Sequence, residues 1–271
     1  RDDLFTVVFE QVMTDTAPYA DILLPATTFL EHYDIAKGYG AYHFHLVQPV
    51  IDAVGESRPN HEVFRELGAR LGLVEGSDDL GEAGAVMDTA ARLPKTLSPA
   101  LLEGRVATAP ADGRPVQFVD LMPPTPDGRV HLFPADLKSR AGLYHYEPDP
   151  ATASHPLSLI SPASEHTISS TLGELRPGVA RLKLHPDDAH SRSIADGDSV
   201  RVFNDLGEVE CEASVTPEIR PGTVSLPKGL WARSTFNGST ANALVPDTLT
   251  DIAGGACFND ARVQVELLAR H

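Results

Sequence analysis

Apolar runs near the beginning of the chain predict a covered parallel sheet. Leu4–Phe9 and Ile22–Leu24 are apolar at almost every position, a pattern typical of strands that are buried on both faces. Further along, Asn60–Leu71 predicts an amphipathic helix whose first residue is a suitable N-cap and which Gly72 ends. Residues 1–75 therefore indicate part of a doubly wound α/β layer, and we expect its other strands to lie outside this chain.

The middle of the chain, residues 76–154, is rich in proline and has a weaker pattern. Leu80–Ala91 and Leu97–Leu102 predict two helices, while Gln117–Asp120 and Val130–Phe133 predict the strands of a hairpin-like insertion. We interpret this region as a connector that packs over the surface rather than as an independent domain.

The last region, residues 155–271, alternates short apolar strands with turns. His185–Ala189 predicts a single helical turn, with proline at its first position and acidic residues at its positive end. Six short strands with few helices predict a small closed barrel. The predicted strands are Leu157–Ile160, Arg181–Leu184, Ser199–Phe203, Glu208–Val215, Thr223–Leu226 and Arg262–Leu267.

Composition and charge narrow the class of protein. The 271 residues include 22 Lys+Arg and 38 Asp+Glu, which gives a formal net charge of −16 at pH 7 and argues against a nucleic-acid partner. Hydrophobic residues make up 42% of the chain, too many for a disordered acidic tail. No apolar run is long enough to span a membrane.

The two cysteines, Cys211 and Cys257, restrict the metal chemistry and indicate a compartment. They do not form a C-x-x-C pair, so cysteines of this chain cannot hold a structural zinc ion or an iron–sulfur cluster. A disulfide between them is possible, but so low a count indicates either a reducing compartment or a protein indifferent to redox conditions, and we expect a cytoplasmic protein. Because the chain begins with Arg1 and runs directly into a strand, we interpret it as a piece of a longer protein.

Some candidate chemical groups leave two interpretations open. Glu31 beside His32 is either an acid–base pair or part of a structural hydrogen bond. His43-x-His45 places two imidazoles on one face of a strand, but no third metal ligand is evident nearby. Trp231 is either a plug of the barrel or a wall of a ligand site.

Other patterns have a structural alternative as well. The aromatic cluster within Tyr39–His45 either lines a substrate funnel or packs in a core, and Thr14–Thr16 either caps a helix or contacts a ligand. The acidic pairs Asp187–Asp188 and Asp196-x-Asp198 favour caps and turns, because the D-x-D-x-D-G pattern of a calcium loop is absent.

Five segments, taken together and in order, resemble the C-terminal part of the molybdopterin-dependent oxidoreductases of the dimethyl sulfoxide reductase and formate dehydrogenase superfamily. Met13–Glu31 is similar to that family's T-x-T-A-x-x-A-D-(apolar)₃-P signature, and Pro49–Phe64 is similar to its P-V-x-x-x-G-E-(A/S)-(R/K) segment. The others are Leu157–Thr171, His185–Val202 and Arg220–Val263. Each segment is a weak signal alone, and their order and spacing make the resemblance specific.

The resemblance implies a fold. We expect a partial doubly wound α/β layer in residues 1–75, a connector in residues 76–154, and an all-β, double-psi six-stranded barrel in residues 155–271 that binds a molybdopterin dinucleotide. In the family, these elements embrace a molybdopterin guanine dinucleotide, usually two copies around one molybdenum or tungsten ion. The family's metal ligand and the cysteines of its 4Fe-4S cluster lie upstream of the region that this chain resembles.

The partners implied are the pterin dinucleotide, the remainder of the same polypeptide and an electron-transfer subunit. The Ser/Thr-rich stretch Ser161–Thr171 begins the cofactor-binding barrel by this resemblance, although by composition alone it is typical of a solvated loop. Hydroxyls and exposed turn amides suit a pyrophosphate, and amide side chains suit the edges of a pterin. Relatives often carry Gly-Arg where this chain has Pro162-Ala163, so one cationic phosphate partner is missing.

We assign no catalytic residue and no metal ligand within this chain. The cofactor-binding residues implied are Glu10, Thr14, Ser161, Pro162, Ser164, His166, Thr167, Ser169, Ser170, Thr171, Asn242, Phe258 and Asn259. Our hypothesis is that the chain is the C-terminal cofactor-binding portion of a molybdenum- or tungsten-dependent oxidoreductase and is inactive alone. The alternative is a non-catalytic barrel module for binding or protein interaction that has kept the scaffold without the cofactor.

Overall fold

The fold was analysed in a computed structural model, which describes residues 1, 3–39, 43–73, 80–108, 116–133, 152–163, 169–175, 178–250, 254–257 and 259–268. The chain divides into two compact units, Arg1–His131 and Leu132–His271. No helix among these described residues is long and apolar enough to cross a membrane.

Two strands form a small parallel sheet at the beginning of the N-terminal unit. β1 (Val7–Glu10) pairs with β2 (Ile22–Pro25), with Val7 opposite Ile22. The parallel pairing agrees with the prediction, although β1 begins at Val7 rather than at Leu4. The prediction that both strands are buried is wrong, since Val7 is 49% and Ile22 44% exposed. This sheet has only two strands in the described part of the chain, and so small a sheet does not cover its own faces.

The first helix ends where the sequence predicts, but its N-cap is a different residue from the predicted one. α1 (Asn60–Arg70) has Pro59 as its N-cap, in an extended conformation and without a capping side chain, so the prediction of an N-cap at Asn60 is wrong. Proline fixes its own φ near the value that opens a helix, which places Asn60 inside the first turn. Gly72 follows the helix with φ +70°, as predicted. Every residue of α1 is at least partly exposed.

A second, three-stranded sheet lies later in the N-terminal unit. β3 (Asp34–Lys37), β4 (His43–Val47) and β5 (Ala107–Thr108) pair antiparallel in this order. α2 (Glu82–Arg92) and α3 (Ser98–Leu102) pack against this sheet and confirm the two predicted helices to within two residues. The small buried cluster between them consists of Ala90, Leu97, Leu101 and Ala107.

The hairpin-like insertion predicted in the middle of the chain is wrong. Gln117 and Leu121 form only an isolated bridge, and Val130–Phe133 lies outside any strand. The residues of both predicted strands, 117–120 and 130–133, are exposed, so they lack the buried face that would make such short strands stable.

The C-terminal unit is the closed six-stranded barrel that the sequence predicts. Around the barrel the strands follow the order β10-β6-β11-β8-β9-β7, and alternate side chains point into a fully buried leucine and valine core. The strands agree with the prediction to within one residue, and α4 (Pro186–His190) is the predicted helical turn. The strands are β6 (Leu157–Ile160), β7 (Arg181–Leu184), β8 (Ser199–Phe203), β9 (Glu208–Val215), β10 (Thr223–Ser225) and β11 (Ala261–Leu267).

The barrel consists of two interlocked halves, β6–β8 and β9–β11. The first strand of each half pairs in parallel with the second strand of the other half, and the third strands pair with each other. Matched hydrogen bonds follow from this pseudo-two-fold: Ser158 N donates to Gly222 O at 2.9 Å, and Glu212 N donates to Ala180 O at 3.1 Å. This topology is the expected double-psi barrel.

Candidate functional site

One end of the barrel gathers most of the described cofactor-binding candidates. The C-terminal ends of β6, β8 and β10 meet the N-terminal ends of β7, β9 and β11 there. We call this the site end and the opposite end the far end. Ser161 and Pro162 follow β6 at the site end, and Asn259 immediately precedes β11 beside them.

Ser161 is held at the site end by its backbone and leaves its side chain unused. Its amide donates to Oδ1 of Asn259 at 2.9 Å, so the structure brings these two predicted residues together. The Ser161 residue is only 8% exposed, and its buried hydroxyl has no hydrogen-bond partner within the described part of the chain. Burying an unsatisfied hydroxyl costs roughly 1–3 kcal/mol, which a hydrogen-bonding ligand would recover.

The residue after Ser161 extends the sheet beyond its strands. Pro162 O accepts a hydrogen bond from Lys228 N at 3.1 Å, two residues beyond the bond from Leu226 N to Ile160 O. Pro162 has no amide hydrogen, and its carbonyl is already paired with Lys228. The pairing fixes the start of the segment that follows β10, close to the Ser/Thr-rich stretch.

The described part of that stretch, Ser169–Leu175, forms a tight loop. Ser169 and Leu172 have φ values of +54° and +60°, in the left-handed region. Ser169, Ser170 and Thr171 are exposed, so their hydroxyls face outward rather than into a core. The loop is anchored through its backbone carbonyls, because Trp231 Nε1 donates to Ser170 O at 2.9 Å. The solvated-loop interpretation therefore explains the exposure of the hydroxyls but not this specific anchoring.

Trp231 does not plug the barrel, and its described contacts lie instead with the Ser169–Leu175 loop. It is buried outside the main barrel cluster and binds the Ser169–Leu175 loop. Sequence reasoning missed this contact, and it missed that Gly229 and Arg233 lie against the same loop. No local pattern links this segment to a loop some sixty residues earlier.

Asn242 also lies at the site end. It belongs to a 3₁₀ turn, Ala241–Leu244, and its side chain is exposed. The turn is fixed to the end of β8, because Asn204 Nδ2 donates to Leu244 O at 2.8 Å. Four other candidates, Ser164, His166, Thr167 and Phe258, lie outside the described residues.

Glu10 and Thr14 lie in the N-terminal unit, at the carboxyl end of β1 as predicted. Glu10 is exposed, and its Oε1 accepts the amide of the next residue at 2.8 Å. Thr14 is half-buried, and its carbonyl accepts Ala17 N at 3.0 Å at the start of a 3₁₀ turn. Thr16 is the N-cap of that turn, and its side chain makes no capping hydrogen bond.

Glu31 is a structural carboxylate rather than half of an acid–base pair. It accepts hydrogen bonds from Thr28 N at 2.6 Å and from Val54 N at 2.7 Å, and these amides lower the pKa of its carboxyl to about 2. His32 instead faces Thr27, with Nδ1 2.9 Å from Oγ1.

The metal and redox alternatives gain no support from the described residues. His43 Nδ1 lies 3.0 Å from Thr108 Oγ1, and nowhere in the described ranges do three His, Cys, Asp or Glu residues form a group that suits a metal ion. Cys211 is a core residue whose burial raises the pKa of its thiol to about 12. Asp198 accepts the amide of Ala195, as expected for a turn residue, whereas Asp188 accepts the amide of Gly222, 34 positions away, which is a tertiary contact and not a cap.

The aromatic cluster divides between solvent and core. Tyr39 is fully exposed, whereas Phe44 packs against the small cluster of the second sheet. Tyr42 lies outside the described residues, so the substrate-funnel interpretation stays a prediction.

Comparisons with known proteins agree with this architecture. A family model of the molybdopterin oxidoreductases matches residues 1–70, and a model of the molydopterin dinucleotide binding domain matches residues 161–262. The chain is 34% identical to "Probable oxidoreductase YoaE" of Bacillus subtilis over 98% of its length, and 28% identical to "Dimethyl sulfoxide reductase DmsA" of Escherichia coli over 96%. It spans 40% and 37% of these two relatives, respectively.

A solved structure shows the same fold at lower sequence identity. Acetylene hydratase from Pelobacter acetylenicus superposes with a TM-score of 0.75 and 20% identity, over 97% of this chain and 40% of that one. This likeness extends the agreement to the three-dimensional fold.

Proposed function

The chain belongs to the molybdopterin oxidoreductases of the dimethyl sulfoxide reductase superfamily, and on that premise we propose that its barrel binds a molybdopterin guanine dinucleotide at the site end. The observation that carries the proposal is the buried hydroxyl of Ser161, which has no hydrogen-bond partner among the described residues. In this proposal the Asn259 Oδ1 holds the Ser161 amide, which leaves the Asn259 Nδ2 and the Ser161 hydroxyl for the ligand.

The other described groups of the site end suit the same ligand. The exposed hydroxyls of Ser169, Ser170 and Thr171 are hydrogen-bond donors for the oxygens of a phosphate. They lie on an acidic chain, so binding depends on local donors rather than on net positive charge. Asn242 would supply an amide edge, and Pro162, Glu10, Thr14 and the candidates outside the described residues remain part of the proposal.

We propose further that the whole protein is an oxidoreductase with molybdenum or tungsten as its metal. Its metal ligand and a 4Fe-4S cluster would lie outside this chain, an electron-transfer subunit would be its partner, and the cytoplasm would be its location. When bound, the cofactor supplies the metal-centred redox chemistry, while the residues of this chain bind and orient it. The proposal of redox chemistry rests on the two relatives, because the solved structure of this fold is a hydratase.

Ser161→Ala in the full-length protein tests the proposal. We expect the pterin released per polypeptide, measured by fluorescence after oxidation, to fall about threefold to tenfold, the loss of roughly one hydrogen bond. The free energy of unfolding of the cofactor-free protein should stay constant or rise by up to about 1 kcal/mol, because alanine removes an unsatisfied buried hydroxyl. Opposite signs in these two measurements would separate ligand binding from a structural role.

Ser158→Ala is the matched control, because Ser158 lies three residues earlier than Ser161, within β6, and is only half-buried. It should leave the pterin content unchanged. A wild-type full-length protein without pterin, molybdenum or tungsten would instead favour the alternative, a non-catalytic barrel module. Retention of pterin in Ser161→Ala, together with a loss of stability, would refute the role of this hydroxyl.

A further inference from the structure

We propose that Gly229, Trp231 and Arg233 form a clasp that holds the Ser169–Leu175 loop in its binding conformation before the cofactor arrives. These residues would be positioning residues, which act on the cofactor through the loop. The inference rests on the proposed function, since it assigns the loop to the same pterin dinucleotide. The clasp belongs to the segment after β10, and Trp231 contacts a residue 61 positions earlier in the chain.

The glycine of the clasp permits a contact between two backbones. Gly229 has φ +73°, and a Cβ at this position would overlap the backbone carbonyl of Ser169. The overlap is with backbone atoms, so a flexible side chain cannot move aside to relieve it. Any larger residue at position 229 therefore displaces the loop at its first described residue.

The tryptophan and the arginine hold the middle of the loop. The indole Nε1 of Trp231 donates to Ser170 O at 2.9 Å, and its ring fills the space beside Gly173, where a Cβ would overlap the indole. Arg233 Nη2 donates to Gly173 O at 2.9 Å, and its guanidinium lies 4.9 Å from the centre of the Trp231 ring. The two side chains contact each other and bind two carbonyls of the same loop, three residues apart.

The clasp binds the loop in a way that leaves its ligand-binding groups free. It uses the carbonyls of Ser170 and Gly173, whereas the hydroxyls of Ser169, Ser170 and Thr171 are exposed. The left-handed φ of Ser169 is unfavourable for a residue with a side chain, so surrounding contacts have to maintain it. A loop ordered in advance loses less conformational freedom when a ligand binds.

Gly229→Ala in the full-length protein tests the clasp, with Gly222→Ala as the matched control. Both glycines have positive φ, but a Cβ at Gly222 meets no atom within 4 Å, so the two variants share backbone strain and differ in the loop contact. Two quantities are measured: hydrogen–deuterium exchange of the amides in residues 169–175 and pterin released per polypeptide. Trp231→Phe is a milder variant, which keeps an aromatic ring and removes the Nε1 donor.

We expect Gly229→Ala to raise exchange in the loop about tenfold or more over the control and to lower the pterin content in parallel. Trp231→Phe should do both to a smaller extent. Equal exchange in Gly229→Ala and Gly222→Ala would overturn the clasp, and faster exchange with a full complement of pterin would overturn its positioning role. A wild-type protein that lacks pterin would overturn the proposed function and this role with it, while the exchange measured without cofactor would still decide whether the clasp exists.

Discussion

At each end of the barrel, a backbone amide at or just beyond the end of one strand donates to the side chain of a residue that precedes a neighbouring strand. We call this hydrogen bond the clamp, and the two clamps differ in the side chains that form and surround them. At the site end, Ser161 N donates to Oδ1 of Asn259 at 2.9 Å, and at the far end, Val215 N donates to Oδ1 of Asp196 at 2.9 Å. The pseudo-two-fold relates β6 to β9 and β11 to β8, so the two donors are equivalent and so are the two acceptors. Because the backbone geometry is equivalent at the two ends, any difference in their function must come from the side chains.

At the far end, residues of this chain supply the hydrogen-bond partners of the clamp. The Asp196 carboxylate that accepts Val215 N also accepts Arg181 Nη2 at 3.0 Å, and Val215 adds no polar side-chain atom. At the site end, Ser161 adds a buried hydroxyl without a partner among the described residues, and the acceptor is a neutral amide instead of a carboxylate. The candidate ligand chemistry therefore lies where one half departs from the symmetry of the fold.

The helical turn α4 shows how fully the far end is paired. Asp188 Oδ2 accepts Gly222 N at 2.8 Å, and Asp188 Oδ1 lies 3.7 Å from Arg192 Nη1. Arg192 Nε in turn donates to Gln264 Oε1 at 2.9 Å, which links the turn to β11. Polar groups at this end serve stability, and we expect mutations here to act on folding rather than on the cofactor.

The largest effect in this comparison is expected from Asp188→Ala at the far end. The side chains of Asp188 and Arg192 are each 16% exposed, so the change removes the charged hydrogen bond to Gly222 N and leaves Arg192 without its carboxylate, although Arg192 keeps its bond to Gln264. We expect a loss of about 2–3 kcal/mol in the free energy of unfolding, measured by urea denaturation. The pterin content of the remaining folded protein should not change.

Asp187→Ala is the control for that change, because the Asp187 side chain is 82% exposed on the same helical turn. Its effect on unfolding should stay within about 0.5 kcal/mol. If Asp188→Ala lowers the pterin content of folded protein as strongly as Ser161→Ala does, then the assignment of stability to the far end and of cofactor binding to the site end is wrong.

How much the sequence could predict differs between the barrel and its site. The strands were predictable almost to the residue because alternating apolar positions, as in Glu208–Val215, coincide with turn residues at their ends. Ser161 and Asn259 came from a resemblance, and their mutual hydrogen bond joins residues 98 positions apart, which no local pattern reveals.

The N-terminal unit was harder to predict, for two physical reasons. β5 is only two residues long and pairs with β4 about sixty positions earlier, so neither pattern nor turn chemistry marks it. In the described part of the chain β1 and β2 pair only with each other, so their apolar runs predicted a burial that this two-stranded sheet does not provide. Apolar composition thus predicts that burial of a strand is favourable, but not which part of the protein buries it.

Asn259→Asp gives the site end the acceptor of the far end and should have an intermediate effect. The carboxylate can still accept Ser161 N, so we expect the free energy of unfolding to change by less than about 1 kcal/mol. A negative charge beside an anionic cofactor should lower the pterin content about tenfold, and the loss should be smaller at high salt. Unchanged pterin content in Asn259→Asp would mean that the clamp of the site end does not face the ligand.

The smallest effect is expected from the reciprocal change, Asp196→Asn, which gives the far end the acceptor of the site end. An asparagine oxygen can still accept Val215 N, and only the ion pair with Arg181 is lost, whose side chains are 47% and 60% exposed. Exposed pairs of this kind contribute little, so urea denaturation should show a loss of about 0.5 kcal/mol or less, and pterin content should be unaffected. A loss above about 1.5 kcal/mol would show that the charge itself maintains the far-end clamp, and the two clamps would then not be physically equivalent.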